Sequence, residues 1–213
     1  MPVAERTGQT AGDRGAGAAT ARQRMLDAAV KRIASEGIDD VRIARIAMDA
    51  GVSASLVHYH FESREALLAE ALEHSYERAG MLRTTAGDER LTSSARLREM
   101  IDQCLPLGGD LRDDWLLWVE LWLRASRHPE LRPTAAKLYA RMHEWFAQEI
   151  EAGIAGGELT GCDVARVVDR LLALIDGYGL RALIEDPSMP VDRARGEIWA
   201  ALAVDLGVAP DAA

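Results

Sequence analysis

Residues 43–61 read Ile43-Ala-Arg-Ile-Ala-Met-Asp-Ala-Gly-Val-Ser-Ala-Ser-Leu-Val-His-Tyr-His-Phe61, and this stretch decides the fold. From about Arg42 to Ala50, Ile43, Ile46 and Ala47 recur at helical spacing. Beyond Gly51, Ser53 is a good N-cap for a helix that reaches Phe61. Gly51 can take the positive φ that a tight inter-helix turn demands. Ala47 is small where the two helices cross, and Val52 packs the turn inward. The pattern predicts a helix-turn-helix. Its second helix exposes Ser53, Ser55, His58, Tyr59 and His60, with no acid among them. Short, neutral or aromatic hydrogen-bonding side chains of this kind suit base edges and phosphates. They would also serve as the polar exterior of an ordinary three-helix core, and the pattern alone leaves both readings open.

Outward from this stretch the chain reads as helix after helix. A first helix runs from about Thr20 to Ser35 with Met25, Leu26, Ala29, Val30 and Ile33 inward, and Gly37 stops it before a turn at Ile38–Val41. Ser63 caps a fourth, followed by Glu65 and then Ala66, Leu67, Ala69, Ala71 and Leu72. After a polar break at Ala86–Leu91, Ser93 or Ser94 opens a fifth helix through Leu105, and Pro106-Leu-Gly-Gly109 breaks the chain. A sixth spans about Arg112–Arg127 and ends at His128-Pro129; a seventh runs from Pro133 to Gly156-Gly157. The eighth covers about Asp163–Glu185 and the ninth about Val191–Leu206. No stretch alternates apolar and polar residues with β-branched enrichment, so the expected fold is all-α with nine helices. The expected organisation is a disordered tail over 1–19, a helix-turn-helix domain over 20–66, a larger helical domain over 67–206, and a tail over 207–213.

The 213 residues are 48% hydrophobic with a mean hydropathy of −0.10, as in a soluble globular protein. The longest apolar run, Trp115–Leu123, carries Glu120 and falls far short of the roughly 18–20 residues of a membrane span. The first twenty residues lack the apolar core of a signal peptide, so a cytoplasmic protein is expected. Cys104 and Cys162 offer neither a disulfide framework nor a metal cluster. A net charge of −9 argues at first against nucleic acid. Its distribution permits it: residues 1–33 hold six Arg/Lys against Glu5, Asp13 and Asp27, while from residue 76 onward 16 basic residues face 23 acidic ones. A DNA-binding face needs local, not global, positive potential.

With these residues the sequence resembles the TetR family of bacterial regulators. The resemblance is carried by Ala28-Ala29, Ile46-Ala-x-x-Ala-Gly-Val-Ser53, His58-Tyr-His-Phe61 and Glu62-Ser-Arg-Glu-Ala-Leu-Leu68, and it is continuous over about Arg22–Leu72. It implies that Tyr59 and His60 form the aromatic–histidine pair before a core phenylalanine, Phe61. Arg64 stands for the usual lysine at the start of the fourth helix, where the helix dipole suits a phosphate clamp. His58 replaces the usual phosphate-touching tyrosine, and Arg42 stands near the usual Thr or Ser cap. Arg42 and Arg45 are therefore the candidates for DNA backbone or a guanine edge. The expected DNA contacts are Arg42, Arg45, Ser53, Ser55, His58, Tyr59, His60 and Arg64.

The resemblance also implies that the remaining helices bind an inducer and pair two copies. At 100° per residue Trp115, Trp118, Val119 and Trp122 share one face of the sixth helix. Three indoles could line a cavity or cage a cation, or simply pack against the seventh helix. Glu120 falls on a polar stripe with Asp113, Arg124 and Arg127, which predicts a solvated Glu120–Arg124 pair rather than a ligand carboxylate. The seventh helix places Tyr139, Met142, Trp145 and Phe146 on one face, with His143 at its edge. Asp176 is either a ligand-facing acid or an interior acid paired with an arginine. The candidate pocket is Cys104, Trp115, Trp118, Trp122, Met142, His143, Trp145, Phe146 and Asp176. The eighth helix is apolar on two sides, which predicts a partner helix from a second subunit. Val168, Leu171, Leu174, Ile175 and Tyr178, with Ile198, Trp199 and Leu202 of the ninth, are the candidate dimer face. The tryptophan-rich sixth helix and Leu174-Ile-Asp-Gly-Tyr-Gly-Leu180 are most similar to the BetI-type branch, whose members often answer to small cationic or amine-related metabolites.

The function expected is that of a homodimeric repressor of double-stranded operator DNA, released by a small-molecule inducer, with no cofactor, metal or membrane. The alternatives are a ligand-independent DNA-binding regulator or a thiol sensor using Cys104 or Cys162. An enzyme is disfavoured, because the five histidines show no metal-ligand spacing and no catalytic triad suggests itself.

Overall fold

A capping box starts the helix at Ala21: Thr20 Oγ1 accepts from Gln23 N at 3.2 Å, and Gln23 Oε1 accepts from Thr20 N at 2.7 Å. The computed structural model describes residues 20–83 and 91–209, and the side chains of all of these except 78–83. The predicted tail over 1–19, nearly all of the break at 86–91 and residues 210–213 lie outside it. Among the described residues there are nine α-helices, one 3-10 turn at Pro129–Leu131, and no strand. The helices are α1 (Ala21–Glu36), α2 (Ile43–Ala50), α3 (Ala54–His60), α4 (Arg64–Arg83), α5 (Ser93–Gln103), α6 (Asp110–Arg127), α7 (Arg132–Ala155), α8 (Val164–Leu183) and α9 (Val191–Leu206).

Local chemistry explains where the boundaries depart from expectation. Thr92, not Ser93 or Ser94, caps α5, because Ser93 is buried. Helix α6 starts at Asp110, two residues early, since Gly109 at φ 54° supplies the entry; Asp110 and Asp113 then sit favourably in its first turn. Gly207 ends α9 in the left-handed conformation, and Val208 N bonds back to Ala203 O at 3.0 Å. Val208 packs against the core, so this part of the expected C-terminal tail is docked.

Two apolar clusters organise the packing. The first joins α1–α3 to Leu67, Leu68, Ala71 and Leu72 of α4 and to Leu117, Leu121 and Ala125 of α6. The second fills the space between α5, α7, α8, α9 and the other side of α6. Trp118 and Tyr76 pack against both. The helix-turn-helix head is thus seated on α4 and α6, and what happens around Trp118 is felt on both sides.

Candidate nucleic-acid interface and ligand cavity

The head is held by its turn. Gly51 adopts φ 65°, ψ 40°, and Val52 N closes the turn on Ala47 O at 2.9 Å. Ser53 Oγ accepts from Leu56 N at 3.2 Å and shares a 2.9 Å hydrogen bond with Ser55. Ile46 and Val57 are buried, which turns Ser53, Ser55, His58 and Tyr59 outward. Tyr59 is 82% exposed and Met48 of α2 is 70% exposed, a large investment of apolar surface in water for one small head. Arg32 disposes of the nearest acids: it holds Asp49 at 2.6 Å and Glu36 at 2.6 Å. These pairings keep both carboxyls below the usual carboxylate range.

The cavity lies in the body. It is lined by Gln103, Cys104, Leu111, Asp114, Trp115, Trp118, Trp122, Tyr139, Met142, Ile175 and Asp176. Trp118, Trp122 and Tyr139 have ring centroids 5.6–6.5 Å apart, with Trp122 and Tyr139 stacked at 16°. Trp115 is anchored by its Nε1 donating to Cys104 O at 3.1 Å. Its ring lies where a Cβ on Gly179 of α8 would stand 2.2 Å away, so only glycine fits there. Two carboxylates join the rings. Asp176 accepts from the Tyr139 hydroxyl at 2.6 Å, and Asp114 accepts from Ser75 of α4. Burial pushes the Asp176 carboxyl above its ordinary range, against the opposing effect of that hydrogen bond. The Tyr139 hydroxyl is pushed up as well, by burial first and then by Asp176.

Residues 25–71 match the family model described as bacterial regulatory proteins, tetR family, and residues 93–205 match the one described as BetI-type transcriptional repressor, C-terminal. The chain belongs to the TetR family. It is a DNA-binding transcriptional regulator, of a family that does not consist of enzymes. A curated relative, the HTH-type transcriptional regulator BetI of Agrobacterium fabrum, is 26% identical over 75% of each chain. A regulator from Saccharomonospora viridis, solved in complex with choline, is 32% identical over 84% of this chain and 93% of its own, with a TM-score of 0.75. A TetR-family regulator from Rhodococcus sp. superposes with a TM-score of 0.76 at 28% identity, over 87% of this chain and 98% of its own.

The TetR-type head leaves all of the expected contacts except His60 exposed, with three qualifications. Arg45 is paired with Glu36 at 3.1 Å, and Arg64 is tied to the Asp39 carbonyl, so neither is a free cation. His60 is half-buried against Phe61. Arg42 is exposed and makes no side-chain cap bond. Met48 and Arg32 were not expected. Met48 follows from the spacing, since it lies on the face of α2 opposite Ile46; the role of Arg32 depends on α1 and α2 meeting.

In the body, Cys104, Trp115, Trp118, Trp122, Met142 and Asp176 line the cavity as expected. His143, Trp145 and Phe146 do not. Phe146 is fully buried in the core, with Trp145 against it at 5.0 Å. His143 sits on an outer groove, 3.6 Å from Asp169. Phe146 shares the helical face of Tyr139 and Met142 but stands a full turn beyond Met142 along α7, and Trp145 packs against it there. Gln103, Leu111, Asp114, Tyr139 and Ile175 complete the lining; Asp114 was legible, being one turn before Trp118. Asp176 meets a tyrosine, not an arginine.

Two further expectations are corrected. Glu120 and Arg124 do pair, at 3.6 Å, but Arg124 is only 11% exposed and also holds Asp39 and Glu65, so this is an inter-helix tie and not a solvated pair. Val168, Leu171, Ile175, Ile198, Trp199 and Leu202 are buried within the protomer, and Leu174 and Tyr178 are half-buried against the same core. Trp199 is covered by the Arg98 guanidinium at 3.9 Å. The body's own core takes up those six, and of the expected dimer residues only Leu174 and Tyr178 keep surface to offer a partner. Cys104 is buried, and burial and Asp163 push the Cys162 thiol up, which disfavours the reactive thiolate.

Proposed function

We propose that the protein is a homodimeric cytoplasmic repressor released from its operator by a small organic cation of the choline type. The observation that carries this reading is the cavity, in which Trp118, Trp122 and Tyr139 stand beside Asp114 and Asp176 with no basic side chain in the lining. Aromatic faces attract a quaternary ammonium, and carboxylates in a water-poor site add to that attraction. A zwitterion would bring its own carboxylate against Asp114 and Asp176 and is disfavoured. The choline complex of the Saccharomonospora relative supports the same class of ligand.

The dimer is formed by the outer face of α8, where Ala173, Gly177, Leu180 and Ile184 follow at i, i+4, i+7 and i+11, beside Ala200 and Val204 of α9. Leu180, Ile184 and Val204 are 40%, 68% and 75% exposed in the single chain, and a Cβ on Gly177 would meet nothing. Two such faces build a four-helix bundle. The paired heads then address successive major grooves about 34 Å apart, one turn of DNA. The cation must bind the DNA-free arrangement more tightly than the DNA-bound one, or it could not release the operator. Asp114 links the two, because it lines the cavity and holds Ser75 of the helix that carries the head.

Selection of bound duplexes from a randomised pool, followed by mobility shifts with and without choline chloride, tests this reading. Salt-sensitive binding to a pseudo-palindrome and its release by choline are expected. Failure to retain any duplex would overturn the operator half, and retention that choline leaves unchanged would overturn the inducer half.

A further inference from the structure

An aromatic cage with carboxylates recognises charge without direction, and a quaternary ammonium has no N–H to donate. Any trimethylalkylammonium of suitable size would satisfy it equally. Two polar atoms of the lining are directional and lack a partner: the Trp122 indole Nε1, a donor, and one acceptor. Gln103, the last residue of α5, contributes to the lining, and its side-chain oxygen Oε1 is fully buried with no hydrogen-bond donor from the protein. The neighbouring acceptors each already have a donor from the protein: Cys104 O the Trp115 indole, Asp176 the Tyr139 hydroxyl, and Asp114 the Ser75 hydroxyl. A buried acceptor left unpaired is costly, and native proteins rarely tolerate one without a use for it.

We propose that Gln103 is a specificity-determining residue that accepts a hydrogen bond from a hydroxyl on the bound cation. The inducer is then a hydroxyl-bearing quaternary ammonium and not a purely alkyl one. This deepens the cation reading and rests on it. A site that offers an acceptor to a ligand hydroxyl penalises the analogue lacking it, because the protein atom stays unpaired when that analogue binds. A ligand carboxylate in the same place would set lone pairs against lone pairs and is excluded for that reason.

The test compares two cations of nearly equal shape, choline and n-propyltrimethylammonium, by titration calorimetry on the full chain and on Gln103→Leu. The wild type should bind choline about tenfold more tightly than the propyl compound, as expected for one neutral hydrogen bond. Q103L should abolish that preference by weakening choline, leaving the propyl compound as tight as before. Equal affinities in the wild type, or a preference that survives in Q103L, overturn the assignment while leaving the cation reading intact. If neither cation binds the wild type, the cation reading fails and this inference falls with it. Should Q103L lose helical circular dichroism, Gln103→Met, closer in length and flexibility, replaces it in the same comparison.

Discussion

Arg124 Nη2 stands 2.5 Å from Asp39 Oδ1, joining α6 of the body to the loop between α1 and α2 of the head. The same guanidinium lies 3.4 Å from Glu65 in the first turn of α4 and 3.6 Å from Glu120 of its own helix. One nearly buried cation therefore fastens three segments whose relative placement positions the recognition helix.

Arg124→Met keeps much of the volume and removes the charge. It leaves Glu65 and Glu120 partly buried without their counter-ion, which should cost about 2 kcal/mol of stability. Operator affinity should fall by more than that loss of fold explains, while choline binding persists. Thermal unfolding, mobility shift and calorimetry on one preparation separate the three; intact operator binding would show that the tie does not position the head.

Arg32→Met should weaken DNA binding without touching any DNA contact. It frees Asp49 and leaves Glu36 to Arg45 alone, beside the exposed face of α2 and α3. One uncovered carboxylate and one half-neutralised near phosphates should lower operator affinity about three- to tenfold at low salt, and less at high salt, where screening is strong. A loss that does not shrink with salt would contradict this origin.

Ser75→Ala tests the link between cavity and head. If the Ser75–Asp114 hydrogen bond competes with the bound cation, its removal should tighten choline binding several-fold. It should also reduce the extent to which choline weakens operator binding. Simple destabilisation would not tighten a ligand. Unchanged choline affinity and unchanged operator release would eliminate this route.

Choline affinity should depend on pH through Asp176. Its carboxyl is held above the ordinary range by burial, so the empty fold favours the protonated form. This contribution to stability is full on the acid side and is lost as pH rises through the raised folded value. The cation binds the ionised form, so affinity should rise over that same interval. Fluorescence titrations from acid to neutral pH should show the rise in the wild type, and Asp176→Asn should flatten it.

The double variant Leu180→Glu, Ile184→Lys places charges in the proposed dimer face without disturbing the protomer core, since both side chains are exposed. Sedimentation should show a monomer with unchanged helical content, and operator binding should drop by about two orders of magnitude as the second half-site is lost. A persistent dimer would move the interface elsewhere.

What the sequence by itself determined is the short-range part. The turn at Gly51, the cap at Ser53, the burial of Ile46 and Val57 and the exposure of Tyr59 depend on residues within a few positions of one another, so periodicity and capping chemistry suffice. The tryptophan stripe of α6 was legible for the same reason. Only the tertiary structure decided which helix meets which face. Helix α8 is apolar on two sides, and periodicity cannot say which of them the protomer keeps; α5, α7 and α9 claim Val168, Leu171 and Ile175 and leave Leu180 and Ile184 outside. Arg124 likewise reads as a surface charge until α4 is laid across α6, because a side chain's partner some sixty positions away has no signature in its local spacing.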